Sequence, residues 1–431
     1  MTPQQRLALE MTPEQRLELL GKCLSPENPI RLTQFLKGRD AEFESLEQEL
    51  RYFGGIPFIF GNRGVGKTSL ARTVAQQVTK SDREHIYVAC APGARMLSIF
   101  REIALELLNQ TVRLADNKEL TKKLEINLSM NPGIKLTIES RSPKLEKFED
   151  ANAAVRTMRE IDALLPNARQ TVVIIDELEE LNDDDRRDLA FLVKQAGDQE
   201  FQVRFMLVGI AENVHELIGA HESVPRYIKE VSLDPLMPQV LMDIVTYAAE
   251  QVGVTVDENI LYRIAIIGNG YPHFAHLMGK TILAAAIMNN SHTVTPDIYS
   301  QGVKRAVRES IQQLRMSYEA ATQRRDDTPK HLLWALGHND TVDVRIDDWV
   351  RTYRELVAKY GWPEADEERL QASIQRLNTA EYGSIVTNTP IRYGSSDIRY
   401  RYKRFAEHLM RGHVRLQAEQ EDVRLGQRLE L

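Results

Sequence analysis

The chemistry in this chain is concentrated in a few short stretches. Gly61-Asn62-Arg63-Gly64-Val65-Gly66-Lys67-Thr68 meets every fixed position of the phosphate-loop pattern GxxxxGK[ST]. Its glycines let backbone N–H groups face phosphate oxygens with no Cβ in the way, and the helix expected at its end adds positive potential. In such a loop the Lys67 ammonium reaches the β and γ phosphates, and the Thr68 hydroxyl binds Mg²⁺. ATP with Mg²⁺ is therefore the expected ligand, cradled by residues 61–68.

Two further stretches suit the same reaction. Thr171-Val172-Val173-Ile174-Ile175 is an unbroken β-branched run that ends in Asp176-Glu177. Such a run reads as a central parallel strand covered on both faces, whose carboxyl end lies beside the phosphate loop. Asp176 can hold Mg²⁺ through water, while Glu177 can orient and deprotonate an attacking water. A third strand, over residues 205–210, leads into Ala211-Glu212-Asn213. Asn213 is the expected contact to the γ phosphate or the water, with Glu212 equally placed by sequence.

These residues need a scaffold that gathers them. An apolar strand over 56–60 precedes the loop and a helical run over 69–78 follows it, so loop and carboxylates meet at one edge of a doubly wound parallel sheet. With 431 residues, 42% hydrophobic and 27% charged, the chain has material for about three domains and a large buried core. Lys plus Arg number 55 against 62 Asp plus Glu, a formal charge of −7. That excludes a broadly cationic nucleic-acid coat protein and leaves room for a local basic patch. Cys23 and Cys90 are too few for a disulfide framework or a structural zinc site and fit a reducing compartment. No apolar run has the length of a membrane span, and the first residues lack the basic-then-apolar order of a signal peptide. A cytoplasmic protein without membrane association is expected. The chain opens with a repeat, MTPQQRLALE then MTPEQRLELL, each unit reading as a helix start with Thr as cap and Pro first inside.

Four stretches together resemble the AAA+ ATPases, nearest to the origin-recognition initiators and their bacterial relatives. They are Phe35-Leu36-Lys37-Gly38-Arg39-Asp40-Ala41-Glu42, the phosphate loop, Asp176-Glu177, and Ser223-Val224-Pro225-Arg226 ahead of Val231-Ser232-Leu233-Asp234-Pro235-Leu236. The resemblance spans residues 30–300 or so. It implies an α/β ATPase core with a helical lid, ATP hydrolysis and a homo-oligomer. By the same resemblance the stretch around Arg39 borders the adenine, and Arg226 is an arginine finger reaching into a neighbouring subunit's site. The lid in this family often carries a sensor arginine after a glycine turn. Here Gly268-Asn269-Gly270-Tyr271-Pro272-His273-Phe274 puts His273 near that position, and a neutral imidazole is a weaker phosphate ligand than a guanidinium.

Two regions lie outside that core pattern. Between the helix expected over 94–108 and the Asp176 strand, Leu124, Ile126, Leu128 and Met130 alternate, Asn131-Pro132-Gly133 turns, and Ile134, Leu136 and Ile138 alternate again. This reads as a hairpin. It serves either to contact DNA or a partner, or to extend the sheet edge or pack against a neighbouring subunit. After lid helices over 239–252, 257–267 and 272–288, a long helix over 297–325 should carry the chain to a winged-helix-like domain. That domain has helices over 332–336, 347–360 and 365–378 and a wing from strands 384–392 and 397–403. Residues 391–415 hold seven Lys or Arg against two Asp or Glu, interleaved with Tyr393, Tyr400, Tyr402 and Phe405. Arg399, Arg401 and Lys403 would share one face of the wing strand, suited to DNA phosphates. The third helix opens with Glu364, Asp366, Glu367 and Glu368, a poor surface for the major groove.

The expected organisation is an N-terminal helical segment (1–29), the AAA+ core (30–234, with the insertion at 111–147), the lid (235–300), a linker helix (301–329), the winged-helix-like domain (330–415) and a helical tail (416–431). The expected function is an ATP-binding and ATP-hydrolysing protein that oligomerises as a nucleotide-dependent switch and assembles on DNA. The alternative is a STAND-like regulatory ATPase of a bacterial antiviral or conflict system that controls a partner effector protein.

Overall fold

The protein is seen here in a computed structural model, which describes residues 10–26, 37–79, 84–114, 136–139, 142–165, 171–198, 201–210, 224–393 and 397–426. For 136–139, 142–144, 390–393 and 397–401 the description is of backbone alone. The chain divides into two compact units, one of Pro29–Asn62 and Gly66–Asp234, the other of Met1–Asn28, Arg63–Val65 and Pro235–Leu431.

In the first unit the strands are β1 (Ile56–Phe60), β2 (Ile86–Ala89), β3 (Leu136–Glu139), β4 (Ser142–Leu145), β5 (Val172–Asp176), β6 (Arg204–Gly209) and β7 (Ile228–Ser232). Five of them form a parallel sheet in the order β2-β5-β6-β1-β7. Alternate residues face opposite sides. Phe58, Phe60, Val173, Ile175, Phe205 and Leu207 join one core with the helices Met96–Leu114, Ala151–Leu164 and Asp183–Gly197. The residues between them, Ile59, Ile174, Met206 and Val208, are equally buried, and the helix Lys67–Val78 packs on β1, β5 and β6. A strand covered on both faces explains the unbroken apolar runs.

Acidic and amide side chains set the ends of these helices. Asp150 caps Ala151–Leu164 by accepting from the Ala153 amide at 2.7 Å, and Asn182 caps Asp183–Gly197 by accepting from Asp184 and Asp185. Each such cap is worth about 1 kcal/mol. Asp185, fully buried, takes the Met96 amide at 2.8 Å and Arg95 Nε at 3.2 Å, tying two helix starts together. Asp162 takes the amides of Gln202 and Val203 and so fixes the entry to β6; burial holds its carboxyl above the usual range.

β3 pairs antiparallel with β4, the segment that follows it, a pairing that the alternation over 124–138 does not indicate. The expected first arm and its Asn131-Pro132-Gly133 turn lie outside the described residues.

The second unit begins with the helix Pro13–Cys23, the second copy of the sequence repeat. Thr12 and Gln15 form the reciprocal capping box expected of it. Arg16, buried, donates from Nε to the Val252 carbonyl at 2.8 Å, and the helix packs on Pro238–Gln251 and Pro272–Met288. The first copy lies outside the described residues. Glu258–Gly268 completes the three helices expected over 239–288. The long helix expected over 297–325 is instead two, Pro296–Glu309 and Gln312–Thr322, parted at Ser310 and Ile311. Ser310 turns extended, and its hydroxyl bonds back to the Val307 carbonyl at 2.9 Å. Packing decides this break. Gly302 lets Pro296–Glu309 lie against Pro272–Met288 so closely that a Cβ there would stand 2.7 Å from Ile282 Cα. Gln312–Thr322 buries Leu314, Tyr318 and Ala321 in a different direction.

Beyond it come Thr328–His338, Ile346–Tyr360 and Glu367–Arg376, with β8 (Val344–Arg345), β9 (Val386–Tyr393) and β10 (Asp397–Phe405) in an antiparallel sheet ordered β8-β10-β9. A helix over Met410–Gln420 runs across the division expected at 415/416. It is pinned by Arg415, 1% exposed, which donates to the carbonyls of Gly337 and Ile266 at 2.7 and 2.6 Å. The helix Glu258–Gly268 and the start of the C-terminal region are thereby joined within one unit. Among the described residues no helix is long and apolar enough to cross a membrane.

Candidate nucleotide-binding site

The phosphate loop leaves β1 under tight local control. The Leu233 amide donates to the Phe60 carbonyl at 2.8 Å, and Gly61 follows at φ 140. A Cβ at Gly61 would stand 2.5 Å from the Leu233 carbonyl oxygen, so only glycine fits this turn without displacing β7's end. Gly66, at φ 99, then starts the helix Lys67–Val78. Lys67 is 9% exposed, and its Nζ donates to the carbonyls of Gly61 and Asn62 at 3.0 and 2.9 Å. Thr68 Oγ1 donates to Asp176 Oδ2 at 2.7 Å. Helix start and strand end therefore meet across 108 residues of sequence separation.

Asp176, buried at the end of β5, is fixed at both oxygens. Oδ1 takes the Glu177 amide at 2.7 Å, and Oδ2 takes Tyr87 Oη at 3.2 Å besides Thr68. Glu177 adopts φ 58 and ψ 43, an uncommon conformation for a residue with a Cβ and one that clusters at functional sites. Its side chain is exposed at the sheet edge. Glu179, which the motif reading missed, accepts from the Ile210 amide at 2.9 Å and so ties the turn after β5 to the end of β6.

The local field is acidic. Burial, followed by the charges of Asp176, Glu177, Glu179 and Asp185, pushes the Cys90 thiol up to about 12. Burial and then Asp176 push the Tyr87 hydroxyl up to about 12, so it remains a hydrogen-bond donor. A hydroxyl and a carboxylate 2.7 Å apart are hard oxygen donors of the kind Mg²⁺ takes beside phosphates. The residues present fit that ion.

Other expected site residues fall differently. Asn213 and Glu212 lie outside the described residues, as do Phe35 and Leu36. Arg39 is buried, and its guanidinium reaches Glu42 at 3.1 Å and the Asp234 carbonyl at 2.5 Å. It braces the chain leaving β7. Arg226 is 63% exposed; it meets Asp198 at 3.6 Å, and its guanidinium also bonds the Tyr227 hydroxyl. His273 belongs to the other unit, at the start of Pro272–Met288, its ring edge-on to Phe274.

β10, the strand expected to form the wing, departs from strict alternation of pairing. Arg399 pairs with Ile391 but Tyr402 with Thr389, so β10 carries one extra residue between them. Of the three cations expected to share a face, the Arg399 and Arg401 side chains lie outside the described ones. Lys403 is 8% exposed, donates to Asn388 Oδ1, and is held below its usual range by burial. It is not a surface cation. On the third helix of this region Arg369 is spent on Asp326 at 2.7 Å, while Glu367 pairs with Arg354 at 2.9 Å.

Residues 36–208 match the family described as AAA ATPase domain. No curated protein matches the chain. Among solved structures the chain is similar to ORC1 of Aeropyrum pernix in complex with DNA, at 17% identity and TM-score 0.44, covering 90% of this chain and 93% of that one. It is similar to Cdc6p of Pyrobaculum aerophilum at 18% identity and TM-score 0.42, covering 93% and 98%. ORC2 of Aeropyrum pernix, in ADPNP–ADP complexes, stands at 15% identity and TM-score 0.47, covering 93% and 98%.

Proposed function

We propose that residues 36–208, which match the AAA ATPase domain family, bind and hydrolyse ATP, and that the chain works as a nucleotide-dependent switch that turns over as an oligomer. The observation that carries the site is the 2.7 Å bond between Thr68 and Asp176 beside the Lys67 ammonium. Lys67 leaves its two loop carbonyls to neutralise the β and γ phosphates, while the loop amides hold their oxygens. Mg²⁺ bound with ATP would supply charge neutralisation at the phosphates. Thr68 would offer it the hydroxyl oxygen while its O–H still donates to Asp176, and Asp176 would act through water. Glu177, aimed outward by its left-handed backbone, orients the attacking water and takes its proton. Asn213 touches the γ phosphate, and Arg39 shapes the base end by holding the chain after β7.

Arg226 is the group that calls for a second copy. It is exposed and held by Asp198 and Tyr227, a stance that suits donation to a neighbouring subunit's transition state.

For what the switch controls, DNA assembly rests on Arg399 and Arg401, with Lys403 removed from the contact set by its burial. The second reading is a STAND-like regulator whose C-terminal domain packs and engages a partner effector. The pairing of Arg369 with Asp326 favours it, because it withdraws a cation from the helix that would enter the groove. Turnover per subunit should rise with protein concentration, and the test is the ATPase rate across a concentration series with and without duplex DNA. A rate per subunit independent of concentration sinks the oligomer. A concentration-dependent rate indifferent to DNA, with no DNA binding at low salt, leaves the regulator reading standing.

A further inference from the structure

Tyr87 lies outside every motif in the sequence, on β2, opposite Ile174 of β5. Its hydroxyl donates to Asp176 Oδ2 at 3.2 Å, the oxygen that also takes Thr68 at 2.7 Å. Arg72, one turn beyond Thr68 on the helix Lys67–Val78, lays its guanidinium over the Tyr87 ring with Cζ 3.6 Å from the centroid. The Arg72 Nε is buried with no hydrogen-bond partner among the described residues, so the ring face is what compensates it. The phosphate-loop helix therefore grips the ring through Arg72, and the ring's hydroxyl grips the carboxylate.

We propose that Tyr87, held in place by Arg72, is a positioning residue that orients the Asp176 carboxylate for Mg²⁺. This rests on reading Thr68 and Asp176 as the Mg²⁺ side of the site. A carboxylate that acts through water has no metal bond to set its direction, so hydrogen bonds alone must do so. The Glu177 amide fixes Oδ1. Oδ2 depends on Thr68, which must also face the ion, and on Tyr87. Without the Tyr87 hydroxyl the carboxylate can swing about its Cβ–Cγ bond, and the ion meets a less organised partner.

The test reads binding of a fluorescent ATP analogue to the whole chain, in EDTA and in Mg²⁺. Tyr87→Phe keeps the ring and its stack on Arg72 and removes only the hydroxyl. It should bind as the parent does in EDTA and lose about tenfold of the affinity that Mg²⁺ adds, the size expected for one hydrogen bond to a charged group. Arg72→Met should cause a smaller loss, and adding it to Tyr87→Phe should cost nothing further, since its effect passes through the hydroxyl. Asp176→Asn must abolish the Mg²⁺-dependent gain. If it does not, the reading of the metal side fails; if it does while Tyr87→Phe matches the parent, only the role of Tyr87 is overturned. Should Tyr87→Phe not fold, Arg72→Met is read alone: an undiminished Mg²⁺ gain means the stack is packing, and the proposal falls.

Discussion

Lys67, Glu177 and two histidines carry the predictions that single side chains decide. Lys67→Ala should abolish tight ATP binding in equilibrium titration, because the β and γ phosphates lose their buried cation; retained affinity would place the nucleotide elsewhere. Glu177→Gln should bind ATP normally and hydrolyse it at least about 100-fold more slowly, since an amide cannot take the water's proton. Phosphate release at the parent rate would remove Glu177 from the role of base. His276 and His413 are buried in the second unit, and burial pushes them down to about 4 and about 3. As pH falls below 6.5 the unfolded chain binds protons that the folded histidines refuse. The stability they contribute is thus full above 6.5 and declines toward 4 and 3, by about 1.4 kcal/mol per pH unit for each. Thermal unfolding followed between pH 7 and 5 should show a falling midpoint, flattened in part by His276→Met. A midpoint that His276→Met leaves equally steep would show that this histidine does not carry the effect.

At the scale of elements, local signals and tertiary contacts compete. Where a capping side chain is present it fixes the helix start, as Asp150 does for Ala151–Leu164, and Asp150→Ala should cost about 1 kcal/mol in denaturant unfolding. The wing strand shows the opposite case. Strict alternation would align Arg399, Arg401 and Lys403, but the bulge between Arg399 and Tyr402 changes the phase, and Lys403 turns inward onto Asn388. Anisotropy with labelled duplex DNA should therefore show affinity falling for Arg399→Ala/Arg401→Ala, with a shallower salt dependence. Lys403→Ala should leave that affinity alone and lower the unfolding midpoint instead. An affinity loss from Lys403→Ala in a fully folded protein contradicts this assignment.

At the scale of the whole molecule the question is whether one chain suffices. Arg226→Ala should bind ATP as the parent does yet turn over poorly, because its guanidinium acts on a neighbour. Mixing it with Lys67→Ala subunits creates interfaces that combine an intact pocket with an intact arginine. Recovery of turnover in the mixture, with assembly followed by light scattering, is the expected result, and none at all would argue that Arg226 only braces Asp198 and Tyr227.

The phosphate loop, the Asp176 strand and the helices over 239–288 were legible because their causes are local: glycine where backbone must approach phosphate, β-branched runs where both faces are covered, caps at helix starts. The break at Ser310 and the burial of Lys403 were not legible, since no breaker residue marks the first and no local rule marks the second. Tyr87 looks in the sequence like one more strand residue. It acquires significance only when β2 lies beside β5 and the helix after the loop crosses above, bringing Arg72, Tyr87 and Asp176 together from three separate elements. What the sequence determines here is the chemistry that each segment can offer. Which side chains support that chemistry is decided by the sheet order, because hydrogen bonds and stacking act over a few ångströms of space and take no account of distance along the chain.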